Sequence, residues 1–250
     1  MKKEIYNVLI IGAGDIGAGY DSPDFPNYLT HAHAFSDHSG FKLVGFVEPN
    51  QETGKRESLK WNTSHFFTIE EAFTKETIDI VSVAVPDELH FKILKQLVAY
   101  ELKFVLTEKP LTLSLDEARE IVELYRNIPA IVNFKRKFVP EIIELKNKIT
   151  NNYYGSFITG SSYYGKGFKH NGSHLVSLML YLLGNKWDYA ELIDKIDDYK
   201  EEDPSYSLLI KDENNASFFI KAISQDNFTV FEFDLLFEKG RIKITNLGTK

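Results

Sequence analysis

The chain of 250 residues contains no cysteine. That absence excludes a disulfide framework, a thiolate nucleophile and any cysteine-based metal site, and it fits a reducing compartment. Long apolar runs are missing too. None approaches the ~18 residues of a membrane-spanning helix, and the few apolar residues that follow Met1-Lys2-Lys3-Glu4 are too short a stretch for a secretory signal segment. Nor is there an excess of positive charge: Lys and Arg number 29 against 36 Asp and Glu, a net −7, and the densest basic cluster, Lys135-Arg136-Lys137, is three residues long. Nucleic acid needs a far larger basic surface. What remains, 43% apolar and 26% charged residues, is the composition of a globular protein with ample material for a core. A soluble, cytoplasmic protein is expected, with neither membrane nor nucleic acid as partner.

The first half alternates short β-rich runs with helical spacing. Strands are expected at Tyr6–Ile11, Phe41–Val47, Ile78–Val85, Lys103–Leu106 and Ala130–Phe134, and helices at Gln51–Lys60, Ile69–Thr74, Leu89–Tyr100 and Leu115–Asn127, the last with Ser114 as N-cap. Apolar strands that alternate with helices form a parallel sheet covered on both faces. Beyond about residue 150 the texture changes. One amphipathic helix, Ser173–Leu183, precedes alternating runs at Tyr206–Lys211, Ala216–Ile223, Thr229–Phe237 and Arg241–Thr245, punctuated by Asn214-Asn215, Asp226-Asn227 and Lys239-Gly240 as hairpin turns. The fold class is therefore α/β: a doubly wound parallel sheet over residues 1–134, then an α+β domain with a mostly antiparallel open sheet over 135–250. Residues 188–213 hold ten acidic side chains against three lysines, which reads as a solvated face or edge-strand protection.

Gly12-Ala13-Gly14-Asp15-Ile16-Gly17 is a G-x-G-x-x-G pattern directly after the first strand. The first glycine permits the tight turn, the second lets the backbone approach a pyrophosphate, and the third allows close helix–strand packing, with the anion over a helix N-terminus. Its place at the start of a βαβ sequence makes it a dinucleotide-binding signal. Glu48 ends the second strand, where a carboxylate accepts hydrogen bonds from the adenosine ribose and repels a 2′-phosphate. That favours NAD; Lys55 and Arg56 nearby leave NADP open. Glu48 stands 31 residues after Gly17 rather than about 20, and the surplus lies in Tyr20–Thr30, which reads as a loop inserted near the phosphate site.

The third strand runs into Pro86-Asp87-Glu88-Leu89-His90 and the fourth into Glu108-Lys109-Pro110. Further on come Asn133-Phe134-Lys135-Arg136-Lys137-Phe138-Val139-Pro140 and Gly172-Ser173-His174. With the glycine loop, these segments resemble, in order from Ile5 to about Gly240, the glucose–fructose oxidoreductase / inositol dehydrogenase (Gfo/Idh/MocA) family. The resemblance implies a Rossmann domain followed by an open-sheet domain, with nicotinamide and substrate meeting between them. It also implies oxidation or reduction of a carbinol carbon on a sugar, polyol or sugar derivative, nucleotide-linked ones included. It assigns the acid/base roles to Lys109 and His174 and puts Pro86, His90 and Glu108 near the cofactor. A homodimer or homotetramer through the second sheet is a further implication.

The residues support these roles independently. A lysine at the C-terminal end of a parallel strand points into the ligand crevice, where burial lowers its pKa towards a working range. His174 at a helix start is also explained by capping or packing, and His90 reads as structural or cofactor-proximal rather than catalytic. Arg136, Tyr163, Lys166, His170 and Asn171, with His174, are expected to line the substrate pocket. Arg136 and Lys166 suit a phosphate or carboxylate, while Tyr163 and Tyr164 are equally explained by packing. Two departures stand out. Family aspartates four residues before and three after the histidine are His170 and Ser177 here, and the chain stops about ten residues after Gly240. Both motivate a rival expectation, a non-catalytic NAD-binding sensor or assembly subunit; a lyase or hydrolase using bound NAD is a neighbouring one. His170 and His174 stand at i and i+4, but no third ligand accompanies them, so no metal is expected.

Overall fold

The computed structural model describes residues 4–184 and 186–245; residues 1–3 and 246–250, on which the readings of the chain's start and end bear, lie outside them. The chain divides into two compact units, Met1–Asn133 and Phe134–Lys250.

The first unit holds six strands: β1 (Tyr6–Ile11), β2 (Phe41–Val47), β3 (Ser64–Phe66), β4 (Ile80–Val83), β5 (Phe104–Thr107) and β6 (Ala130–Val132). They form one sheet in the order β3-β2-β1-β4-β5-β6, every pairing parallel. The helices are α1 (His31–Asp37), α2 (Gln51–Lys60), α3 (Ile69–Lys75), α4 (His90–Leu97) and α5 (Leu115–Leu124). β1 reads as an unbroken apolar run because both faces of the sheet are buried. Leu9 and Ile11 enter a core with Leu94, Leu97 and Ile121. Ile10 points the other way, into a core with Ala32, Phe46 and Trp61. Strand order reverses at β1, which lies between β2 and β4, so the crevice past the ends of β1 and β4 is where such a sheet takes its ligand. Ser114 caps α5, accepting from the Glu117 N–H at 3.2 Å. Neither β3 nor α1 is among the expected elements; α1 begins directly after the Tyr20–Thr30 segment that reads as a loop.

The second unit opens with α6 (Pro140–Thr150) and continues with β7 (Phe157–Tyr164), α7 (Ser173–Leu183), β8 (Trp187–Lys200), β9 (Asp203–Asp212), β10 (Ser217–Ala222), β11 (Phe231–Phe237) and β12 (Gly240–Ile244). The sheet order is β12-β11-β7-β10-β9-β8, with β7 and β10 parallel and the other pairs antiparallel. In α7 the residues Leu175, Leu178, Met179 and Leu182 are buried, the i, i+3, i+4, i+7 stripe that seats one helical face on a core. Phe218, Ile220, Phe231, Phe233 and Leu235 complete that core from the sheet. One expected hairpin is absent. β10 and β11 flank β7 on opposite sides, so Asp226-Asn227 lies in a connection that passes β7 rather than in a tight turn. β8, read from sequence only as an acidic run, is a 14-residue edge strand.

Candidate functional site

The glycine loop leaves β1 at Gly12, whose φ is +95°. A Cβ there would stand 2.3 Å from the Ala84 carbonyl oxygen, and one on Gly17 would stand 2.2 Å from that of Gly12. Only glycine fits either close approach. At Gly14 a Cβ would meet nothing within 4 Å; the loop is bare there, on the side a pyrophosphate would approach. The turn that follows, Asp15–Gly19, is wider than an α-helix, with Gly19 N–H bonded to Gly14 O and Tyr20 N–H to Asp15 O, both at 3.0 Å. Asp15 and Ile16 are exposed on it.

Glu48 stands at the end of β2. Its carboxylate accepts the Ala13 N–H (3.1 Å) and the Asn50 N–H (2.9 Å). A carboxylate has about four lone-pair sites, so about two remain beyond these amides. Gly12, Gly14, Glu48 and Pro86 line a cavity of about 910 Å³ whose apolar walls include Val47, Ile69, Val85 and Ile93, a slot suited to an adenine ring. Arg56 is not among its lining residues; its guanidinium pairs with the buried Glu57 at 2.8 Å. These residues fit a dinucleotide, and the acid at the cavity with the nearby arginine engaged elsewhere fits NAD better than NADP.

His90 is fully buried, with Nδ1 2.6 Å from Pro110 O and Nε2 3.0 Å from Val85 O. It ties the segment after β4 to the segment after β5. Glu108 is built into the same unit: Oε1 accepts from Asn133 Nδ2 (2.6 Å) and lies 3.0 Å from His31 Nε2, while Oε2 accepts the Lys109 N–H (3.3 Å). His31 Nδ1 is 2.6 Å from Ser82 Oγ. Burial pushes the Glu108 carboxyl up, but hydrogen bonds from His31 and Asn133 outweigh it and hold the pKa below the usual range. Lys109 is half-buried and its peptide bond to Pro110 is cis. The Tyr20–Thr30 loop is tied down by Asp21, which accepts from Leu29 N (2.7 Å), Thr30 N (3.2 Å) and Thr30 Oγ1 (2.5 Å) and sits 3.0 Å from His33 Nδ1. His31, Ser82 and Asp21 carry no sequence signal of their own; a histidine pair opening a helix after an inserted loop was the sole available hint.

In the second unit, Arg136, Lys166, His170, Asn171 and His174 line one cavity of about 280 Å³, together with Lys135, Gln225 and the segment 228–231. Tyr163 is exposed on β7 and is not among the lining residues. Tyr164 is buried, its hydroxyl donating to Tyr206 O and accepting from Tyr206 N–H. His174 opens α7 edge-on to Phe134, with ring centroids 5.5 Å apart. The preceding loop is held by two buried aspartates from the acidic run. Asp198 accepts the N–H of Lys166 (2.7 Å), and Asp203 those of Lys169 (2.7 Å) and His170 (2.9 Å). The reading of that run as merely solvated is corrected for these two residues, which are 5% and 6% exposed. Among the described residues no group of three or more His, Cys, Asp or Glu is arranged to hold a metal ion, and no helix is long and apolar enough to cross a membrane.

A family model, GFO_IDH_MocA, an oxidoreductase family with an NAD-binding Rossmann fold, matches residues 6–134. The chain belongs to this family. The match spans nearly all of the first unit, the glycine loop included. Among relatives, an inositol 2-dehydrogenase of Corynebacterium glutamicum (strain R) is 30% identical over 153 residues, 60% of this chain and 42% of that protein. The match thus spans less than half of that curated relative's length. The galactose/lactose metabolism regulatory protein GAL80 of Saccharomyces cerevisiae is 27% identical over 128 residues, 47% of this chain and 29% of that one. Solved structures share the fold at low identity. The WlbA dehydrogenase from Bordetella pertussis, in complex with NADH and UDP-GlcNAcA, matches with TM-score 0.82 at 14% identity, over 99% of this chain and 80% of that one. A myo-inositol dehydrogenase from Corynebacterium glutamicum matches with TM-score 0.81 at 15%, over 97% and 75%.

Proposed function

We propose that the protein is an NAD-dependent oxidoreductase that acts on a secondary alcohol or ketone of a sugar, polyol or sugar derivative. The observation that carries the reading is the cradle: two glycines that admit no Cβ, a third facing open space, and Glu48 fixed by two backbone amides at the cavity. Gly12, Gly14 and Glu48 would hold NAD, and Pro86 and the walls around it would enclose the adenosine. When bound, NAD supplies the hydride acceptor or donor for such a carbon. The chain's own part is then proton transfer. Lys109, half-buried at the end of β5 beside the ordered Glu108, and His174, at the start of α7 in the lysine- and arginine-lined cavity, are the groups proposed to take and return the hydroxyl proton. Inositol dehydrogenase and WlbA relatives support a polyol or sugar-acid type of substrate.

Thermal shift with NAD⁺, NADH, NADP⁺ and NADPH tests the cofactor. At 100 times Kd, binding adds about 2.7 kcal/mol, and NAD(H) is expected to stabilise more than NADP(H). Gly14→Val is expected to abolish the shift without lowering the melting temperature of the free protein. Reduction of NAD⁺ by myo-inositol and by aldoses, followed at the nicotinamide absorbance, tests the chemistry; Lys109→Ala should reduce turnover about 10²–10⁴-fold. A second reading, an NAD-binding regulatory protein, is favoured by His170 and Ser177 at the family's aspartate positions and by the similarity to GAL80. It predicts normal NADH binding with no turnover that Lys109→Ala can lower.

A further inference from the structure

We propose that the cavity of the second unit takes a one-ring polyol bearing an oxyanion, a carboxylate or a phosphate, and that Arg136 and Lys166 bind that group. The inference rests on the sugar-or-polyol reading above and narrows it. Its starting point is the imbalance of the lining. Three cationic side chains, Lys135, Arg136 and Lys166, and the imidazoles of His170 and His174 face the space, with no acidic residue among them, in a chain whose net charge is −7.

A neutral polyol both donates and accepts at every hydroxyl, so a site built for it mixes acceptors with donors. Lys and Arg only donate. The two carboxylates nearest the loop, Asp198 and Asp203, are turned to backbone: Asp198 to Lys166 N–H and Gln225 N–H, Asp203 to Lys169 N–H and His170 N–H. They fix the loop; neither is among the lining residues.

The two cations are also held in place. Arg136 is half-buried with its guanidinium 3.9 Å from the centre of the Phe231 ring, a cation–π contact that helps to hold the side chain at the cavity. Lys166 has φ +71°, a conformation that costs a non-glycine residue about 1 kcal/mol or more and that Asp198 sustains through the Lys166 N–H. The eleven-residue α7 begins at the same cavity, its positive end adding to the field. A volume of about 280 Å³ lies at the small end of ligand pockets, which run from about 300 Å³ upward, and suits a single ring with its acid group.

Calorimetry of the full chain at low salt with D-glucuronate, D-glucose 6-phosphate and D-glucose tests the proposal and separates carboxylate from phosphate. At least one acid is expected to bind about tenfold or more tighter than glucose, the size of one charge-assisted hydrogen bond. The preference should shrink at high salt and fall to about threefold or less in Lys166→Gln and in Arg136→Gln. Lys166 is exposed, so its variant carries the test if Arg136→Gln melts early. Equal binding of all three probes, binding of none up to about 10 mM, or a preference that survives in Lys166→Gln would overturn it. NADH titration of the same samples separates the two readings. A retained acid preference without NADH binding sinks only the oxidoreductase reading, and NADH binding with no acid preference sinks only this one.

Discussion

The two units place buried charge differently. In the first, Asp21, Glu57 and Glu108 are met by side chains, with backbone N–H groups besides at Asp21 and Glu108. Asp21 meets His33 and Thr30, Glu57 meets Arg56 and Lys60, and Glu108 meets His31 and Asn133. In the second, Asp198 and Asp203 accept from backbone N–H groups, and Lys166 of the loop they hold lines a cavity with Arg136. The first arrangement makes a frame whose charges meet partners within the unit. The second orders a loop whose Lys166 and His170 line the cavity. In both, these acids hold local structure, whereas Glu48 lines the first unit's cavity.

Glu108→Ala attacks the first arrangement with the largest expected effect. It leaves the His31 ring and the Asn133 amide without their acceptor in a half-buried site, at a cost of about 3–5 kcal/mol. Chemical denaturation would show it. The pH dependence follows from the sign of the shift. Glu108 is held below its ordinary 4.5, so the unfolded chain takes up that proton first as pH falls. The stabilisation is fully present above about 4.5 and is lost as pH drops through the lower folded value. The acid limb of the wild-type stability curve should therefore flatten in Glu108→Gln, which retains the shape.

Gly12→Ala comes next. The added Cβ would stand 2.3 Å from Ala84 O at a φ of +95°, so the ends of β1 and β4 must part. About 2–4 kcal/mol of stability should go, and the NADH-induced thermal shift with it. The contrast is Gly14→Val, which should lose the shift alone. Asp203→Ala is the counterpart in the second unit. It strands the Lys169 and His170 N–H groups and should cost about 2–3 kcal/mol while leaving NADH affinity unchanged. A drop in NADH affinity in that variant would break the division of labour between the units.

The first unit was largely legible because its signals are local. β1 and β2 fall where the apolar runs place them, α2 spans Gln51–Lys60 as its spacing requires, and the Gly12 turn needs only its own three glycines. α7, too, follows from its stripe. The contacts that close the sites are not local. His31 and Glu108 are 77 residues apart, and nothing in a histidine at 31 names a glutamate at 108. The acidic run 188–213 looks uniform in sequence, yet Asp198 and Asp203 bracket the β8–β9 turn and are buried while Asp194 and Asp197 on the same strand are exposed. Turn residues failed in a specific way at Asp226-Asn227: they mark a reversal of direction without saying which strand lies alongside, and here β7 intervenes. Of the expected pocket residues, Tyr163 alternates away from Tyr164 along β7. Period two places the pair on opposite faces but does not say which face holds the cavity.

Glu48→Gln carries the smallest expected effect and sharpens the comparison most, because Glu48 lines the first unit's cavity and keeps acceptor capacity beyond its two backbone amides. The amide keeps a carbonyl oxygen for one of the two N–H groups of Ala13 and Asn50, so the turn should survive with a loss of about 1 kcal/mol. What goes is the negative charge. NADH loses a charge-assisted acceptor for its ribose, and NADPH is freed from repulsion at its 2′-phosphate. The NADH-to-NADPH affinity ratio should fall about tenfold or more, read by titrating both cofactors against intrinsic fluorescence. If the ratio is unchanged, cofactor choice does not reside in Glu48, and Lys92 on the same cavity becomes the residue to replace. If it falls as expected, the acid at β2 is set apart from Asp21, Glu57 and Glu108 by function as well as by geometry: those three hold the frame, and Glu48 reads what enters it.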